Sequence, residues 1–209
     1  MNSFEHPDHL SELDDDDFDL IYPLEIRDLS SIHWTPVSIA RKAAKFLVNK
    51  PGTRVLDIGC GPGKFCTVGA LVTEGQFTGV EQREHLCDLA RLTIGKAKIS
   101  NAKIIHANIT QIDFSNYDAF YLFNPFEENL FAMGLIDEIV VRSDALFEEY
   151  TVYVTNQLAR APVGTRLVTY CGCPADVPNG YECQRSSIEY SLTFWEKTSH
   201  HFLEDNRPE

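Results

Sequence analysis

The stretch that constrains this chain most runs from Arg54 to Phe65, where an apolar run enters Asp57-Ile58-Gly59-Cys60-Gly61-Pro62-Gly63 and leaves into a helical pattern. Glycines at 59, 61 and 63 let the backbone pass where a Cβ would collide with a ligand. The helix that follows presents N–H groups with no intrahelical partner. A strand, a tight glycine turn and a helix N-terminus together make a site for a nucleotide-like ligand. The spacing then narrows the choice. A phosphate-binding P-loop needs glycine with four residues intervening before Gly-Lys, and Ser or Thr after it, but those positions hold Ile58 and Phe65. A dinucleotide fingerprint counted from Gly59 needs its third glycine at position 64, which is Lys64. What remains is an acid, Asp57, two residues ahead of three alternating glycines. An acid there suits a ligand with a positive α-amino group and repels a pyrophosphate.

The rest of the chain supplies a regular alternation of strand-like and helix-like segments, the pattern of a mostly parallel sheet with helices on both faces. Strands are predicted at Arg54 to Ile58, Gln76 to Glu81, Ala102 to His106, Ala119 to Phe123 and Arg166 to Cys171. Helices are predicted from Thr35-Pro36, with Thr35 as N-cap, to Pro51-Gly52, then near 64 to 72 and 84 to 97, and once or twice within 127 to 160. After Cys171 the rhythm changes. Val177-Pro178-Asn179-Gly180 is turn chemistry, and two β-rich runs, around 181 to 186 and 188 to 197, leave no room for a helix between them. They are expected to pair as an antiparallel hairpin at one side of the sheet.

From about His33 to Lys197 the chain resembles the Rossmann-like, seven-stranded S-adenosylmethionine-dependent methyltransferases. Its acid-x-Gly-x-Gly-x-Gly segment is similar to the first motif of that family. The resemblance implies an α/β fold with a mostly parallel seven-stranded sheet, S-adenosylmethionine as cofactor, and Asp57, Gly59, Cys60, Gly61 and Gly63 at the cofactor. Gln76-Phe-Thr-Gly-Val-Glu81 resembles the second strand, whose terminal acid accepts hydrogen bonds from the ribose hydroxyls, so Glu81 and its neighbour Gln82 join the cofactor set. A carboxylate offers acceptors for a vicinal diol; the alternative reading of Glu81 is a cap on the next helix. Ile104 to Thr110 is similar to the third strand and the adenine loop, with Asn108 where many members carry Asp, and with Ile109 as an apolar wall. Asn is also an ordinary loop residue.

Asn124-Pro125-Phe126 closes the apolar run Tyr117 to Phe123 and resembles the motif of amine-methylating members, which is Asn or Asp, two prolines and an aromatic. The resemblance implies that Asn124, also placed beside the cofactor, and Pro125 orient an acceptor N–H₂ through their carbonyls while Phe126 packs over it. This chain has one proline, and Asn-Pro also simply ends strands. His33-Trp34 stands where family members close over the methionine end of the cofactor, or is a core aromatic beside a surface histidine. The reading is an N-methyltransferase acting on a protein or a small amine. The alternatives are a Rossmann-like protein that binds the cofactor or a nicotinamide without methyl transfer, and a nucleic-acid methyltransferase.

Charge bears on the last alternative. Of the net charge of -13, -9 sits in residues 1 to 31, with ten acidic side chains against Arg27, leaving -4 for residues 32 to 209. Polyanion binding is disfavoured rather than excluded. The division expected is an acidic, partly disordered segment over 1 to 31, its Asp14 to Asp17 run a solvated lead-in, and one methyltransferase domain over 32 to 209. No run of about 20 apolar residues and no basic-then-apolar leader is present, so a cytoplasmic protein with no membrane partner is expected. The six cysteines read as reduced thiols. Cys171, Cys173, Cys183, His200 and His201 do not match zinc-ligand spacing, so no metal is expected.

Overall fold

The structure, a computed structural model, describes residues 14–130, 135–172, 177–187 and 192–199. Seven strands, β1 Arg54–Ile58, β2 Gln76–Glu81, β3 Ala102–His106, β4 Ala119–Phe123, β5 Arg166–Tyr170, β6 Tyr181–Ser187 and β7 Leu192–Lys197, form one sheet in the order β3-β2-β1-β4-β5-β7-β6. The first five pair in parallel, while β7 runs antiparallel to both β5 and β6. Strand order therefore reverses between β1 and β4, the point at which open α/β sheets bind ligands beyond their carboxyl ends.

Period-two alternation explains why β1 reads as an unbroken buried run. Val55 enters one apolar cluster and its neighbour Leu56 the other, because successive side chains face opposite sides of the sheet. The first cluster is closed by helices α4 (Val37–Leu47), α5 (Lys64–Val72) and α6 (Glu84–Lys96). The second is closed by α7 (Asp144–Arg160), through Tyr150, Val154 and Leu158. Ser143 caps α7, its hydroxyl accepting from the Leu146 N–H at 3.2 Å.

The N-terminal segment departs from the solvated lead-in expected of the aspartate run. From Asp14 it folds into short helices α1 (Asp15–Asp19), α2 (Leu24–Arg27) and α3 (Ser30–His33). Phe18 and Tyr22 are fully buried in the first cluster, worth about 1.5 to 3 kcal/mol for an apolar side chain of this size. Lys64, 2% exposed at the start of α5, draws Asp15 and Asp19 in, each at 2.7 Å. A buried ammonium needs such partners. Asp15 also accepts the Val37 N–H, so the cap of α4 comes from 22 residues away. Thr35, expected as that cap, instead shares a hydrogen bond with the Tyr121 hydroxyl, and Pro36 takes the cap position.

The other boundary differences are small. Helix α4 stops at Leu47, and Gly52 turns the chain into β1 with φ +78. β5 ends at Tyr170 because Cys171 adopts φ +53, outside the extended region. Of the run 188 to 197, residues 188 to 191 lie outside the described residues, as do 1 to 13 of the acidic segment. No described helix is long and apolar enough to cross a membrane.

Candidate active site

The glycine turn leaves the carboxyl end of β1 with its backbone held by β2, as Gly59 and Cys60 both donate to the Val80 carbonyl. A Cβ at Gly59 would lie 2.7 Å from Pro125 Cβ, and one at Gly61 would lie 2.6 Å from the Trp34 ring. Both residues also adopt positive φ, +74 and +53. The turn is thus pressed between the β4 loop and the N-terminal segment. A cavity opens there, lined by Gly59, Gly61, Glu81, Gln82, Asn108 and Ile109 together with Asn124, Pro125 and Phe126. Nine residues assigned from sequence therefore share one crevice. Gly63 does not line it: its missing Cβ makes room for Ala90, so it serves the packing of α5 on α6.

Glu81 is 5% exposed at the end of β2. One carboxylate oxygen accepts the Gly61 N–H at 3.1 Å and the other the Arg83 N–H at 2.9 Å, which leaves acceptor sites free on both. Burial pushes its pKa up, opposed by these backbone bonds and by Arg83. Asn108 lines the crevice with its amide already engaged within the chain. Its Oδ1 already accepts from the Thr110 N–H and hydroxyl, at 3.0 and 2.9 Å, and its Nδ2 donates to the Tyr150 hydroxyl at 2.8 Å. It caps a short 3₁₀ turn, and only its second amide hydrogen is left for a ligand.

Asp57 and Cys60 lie below the crevice, lining a smaller cavity with Trp34, Lys64, Phe65 and Tyr121. Asp57 is 3% exposed and accepts from the Cys66 thiol at 3.4 Å. Burial, with Glu81 nearby, pushes its pKa from an ordinary 3.8 to about 7. Between those values the folded protein keeps a proton that the unfolded chain has released, so the contribution of this group to stability falls as pH rises and levels off above about 7. Thermal unfolding of the ligand-free protein across this window is expected to show Asp57→Asn losing less stability with rising pH than the parent, by about one proton's worth of slope. Identical slopes would count against a protonated Asp57.

Asn124 ends β4 with φ +36, a conformation Asn tolerates better than most residues. Its side-chain amide makes no hydrogen bond with any described residue. Phe126 packs at 5.5 Å from the Tyr150 ring. The residue that sequence reading missed is Arg83. It is 2% exposed and forks onto Glu128 at 2.9 and 2.7 Å while its Nε reaches Asp137 at 3.0 Å. Arg83 and Glu128 both line the crevice, so this clamp holds the chain after β4 over it. Tyr150, His33, Trp34 and Ile32 also line it. Only His33 and Trp34 carried a signal in the sequence, their place just ahead of α4. Among the described residues no group of three or more His, Cys, Asp or Glu is arranged to hold a metal ion. Cys173, His200 and His201 lie outside them, and the described cysteines are free thiols.

A doubly wound sheet with a glycine turn after β1, an acid closing β2 and Asn-Pro closing β4 around one crevice defines a Rossmann-like transferase of the seven-stranded class. The family described as methyltransferase domain matches residues 49–175, well over half the chain, and the chain belongs to it. It is an S-adenosylmethionine-dependent methyltransferase. Similar folds include TrmN from Thermus thermophilus, with 17% identity, 81% of this chain and 51% of that one covered, and a TM-score of 0.60. This chain thus spans about half the length of TrmN. An RNA methyltransferase from Salinibacter ruber in complex with S-adenosyl-L-homocysteine has 16% identity, 83% and 99% coverage and a TM-score of 0.58. An S-adenosylmethionine-dependent O-methyltransferase from Thermotoga maritima has 18% identity, 86% and 73% coverage and a TM-score of 0.56. No curated protein matches the chain.

Proposed function

We propose that this chain methylates the nitrogen of an amine carried by a protein or a small molecule. The observation that carries this reading is Asn124, an unengaged amide at the carboxyl end of β4, in a strained conformation and lining the same crevice as the glycine turn. The residues fit the cofactor. The crevice has the positive-φ backbone of Gly59 and Gly61 on one wall, a carboxylate with free acceptors at Glu81, and apolar faces at Ile109 and Phe126. Glu81 would hold the ribose hydroxyls, Gln82, Asn108 and Ile109 the adenine, and the backbone of Gly59 and Gly61 the methionine end above Asp57. When bound, S-adenosylmethionine supplies an activated methyl whose carbon–sulfur bond breaks with its electron pair going to sulfur. The protein's part is to align the nitrogen lone pair, with the Asn124 and Pro125 carbonyls accepting the acceptor's N–H groups and solvent taking the released proton.

Methyl-labelled cofactor offered to separated protein, metabolite and RNA fractions tests the reading. Label on nitrogen in protein or metabolites supports it, and label on oxygen or carbon overturns it. Methylation of RNA is the competing reading, favoured by two fold neighbours named as acting in that class or carrying its name. It is opposed here by the crevice's own acids, Glu81, Glu127 and Glu128, set against one arginine. Glu81→Ala is expected to weaken S-adenosylhomocysteine by about 1.5 to 3 kcal/mol, the range for hydrogen bonds to a charged group. Calorimetric titration measures it, and an unchanged affinity would leave Glu81 as a cap on the Gly61 and Arg83 amides alone.

A further inference from the structure

A second cavity, about 130 Å³ against about 230 Å³ for the crevice, lies between α7 and the carboxyl ends of β4 and β5. The two share one wall, Asn124, Pro125, Phe126 and Glu127. Asn124 turns its carbonyl towards the second cavity. A Cβ built on Gly172 would stand 3.6 Å from Asn124 Oδ1 and 3.4 Å from Thr169 Cβ. The floor is apolar, from Leu122, Phe147 and Val154. Glu127 stands exposed on the shared wall, and its carboxylate makes no hydrogen bond or ion pair with any described residue.

We infer that the second cavity is the chamber of the methyl acceptor, and that it takes a primary amine on a short apolar stem, with Glu127 at its rim selecting a cation. The inference rests on the amine reading above and adds the route and the class. An apolar floor receives the stem, since burying it is favourable by roughly 25 cal/mol per Å². The Asn124 carbonyl meets the nitrogen at the shared wall. Glu127 attracts the incoming ammonium, which frees its lone pair by giving a proton to solvent before attack, and repels phosphate. Such a chamber is smaller than the crevice that takes the cofactor, so it admits a side-chain-sized group rather than a whole nucleotide.

The test uses the full chain with S-adenosylhomocysteine bound and three probes, benzylamine, benzyl alcohol and guanosine monophosphate, followed by amide chemical shifts. Benzylamine is expected to move the signals of Thr151, Thr169 and Gly172 and to bind more tightly than benzyl alcohol. Gly172→Leu, which fills the chamber at a residue without positive φ, is expected to weaken benzylamine by at least about tenfold while S-adenosylhomocysteine affinity stays within about twofold. Thr151→Trp fills it from α7 and gives a second reading if the first variant does not fold. Glu127→Gln should erase the preference for the amine over the alcohol. No benzylamine binding, binding that Gly172→Leu and Thr151→Trp both leave intact, or occupation of the chamber by guanosine monophosphate would overturn the inference. Nitrogen methylation seen in the fraction experiment would still stand in those cases, so the two failures are told apart.

Discussion

Gly61→Val is expected to abolish binding of S-adenosylmethionine and its product, with affinity falling by at least about a hundredfold, or roughly 2.7 kcal/mol. Two independent effects act at this position. Its φ of +53 is one a β-branched residue adopts only at a cost, and even a Cβ would sit 2.6 Å from the Trp34 ring. Trp34 is 4% exposed and its indole N–H is anchored to the Ile26 carbonyl at 2.8 Å, so the ring does not swing aside freely. Either the turn moves, breaking the Gly61 N–H bond to Glu81, or the N-terminal segment does, and both lie on the crevice. Circular dichroism should report a folded domain, because the core clusters on both faces of the sheet do not include Gly61. Calorimetry gives the affinity. A folded Gly61→Val protein with parental affinity would remove the cofactor from this crevice.

Asn124→Gly is expected to cut the rate of methyl transfer by about a hundredfold, the loss associated with misplacing reacting groups by about 1 Å. Affinity for S-adenosylhomocysteine should stay within about twofold. Glycine is the informative replacement because it keeps the backbone at φ +36 without strain, whereas alanine would mix lost alignment with a conformational cost. Turnover and binding are measured on the same preparation with whichever acceptor the labelling of protein, metabolite and RNA fractions identifies. A loss confined to turnover follows if the amide acts only on the aligned acceptor. Undiminished turnover would make Asn124-Pro125-Phe126 a strand terminator and would move the acceptor contact towards His33 and Trp34.

Features carried by contiguous residues were legible without any structure. The strand Arg54–Ile58, its glycine turn and the helix Lys64–Val72 follow one another along the chain, and their geometry is set by local φ preferences and period-two burial. The same holds for Gln76–Glu81 and for the Asn-Pro that ends Ala119–Phe123. Asn108 shows the limit of such reading. Its position at the crevice followed from sequence, but the direction of its amide depended on Thr110 and on Tyr150, 42 residues away.

What tertiary structure alone decided is the company these residues keep. Arg83 carries no functional signal in the sequence, yet packing buries it against Glu128 and Asp137, 45 and 54 residues on, where no spacing rule connects them. The aspartate run reads as a solvated lead-in, although its segment also holds Phe18, Leu20, Ile21 and Tyr22. Phe18 and Tyr22 nevertheless had apolar surface to bury, and Lys64 had a charge that required neutralising once α5 was packed on the sheet. Chain connectivity and local sterics thus determined the sheet and the turn from the sequence by itself, and the family resemblance of the motifs they carry implied the class of chemistry. The walls of the crevice and the second chamber beside it arise from burial and charge pairing between segments far apart in the chain, which become partners only when the whole domain closes.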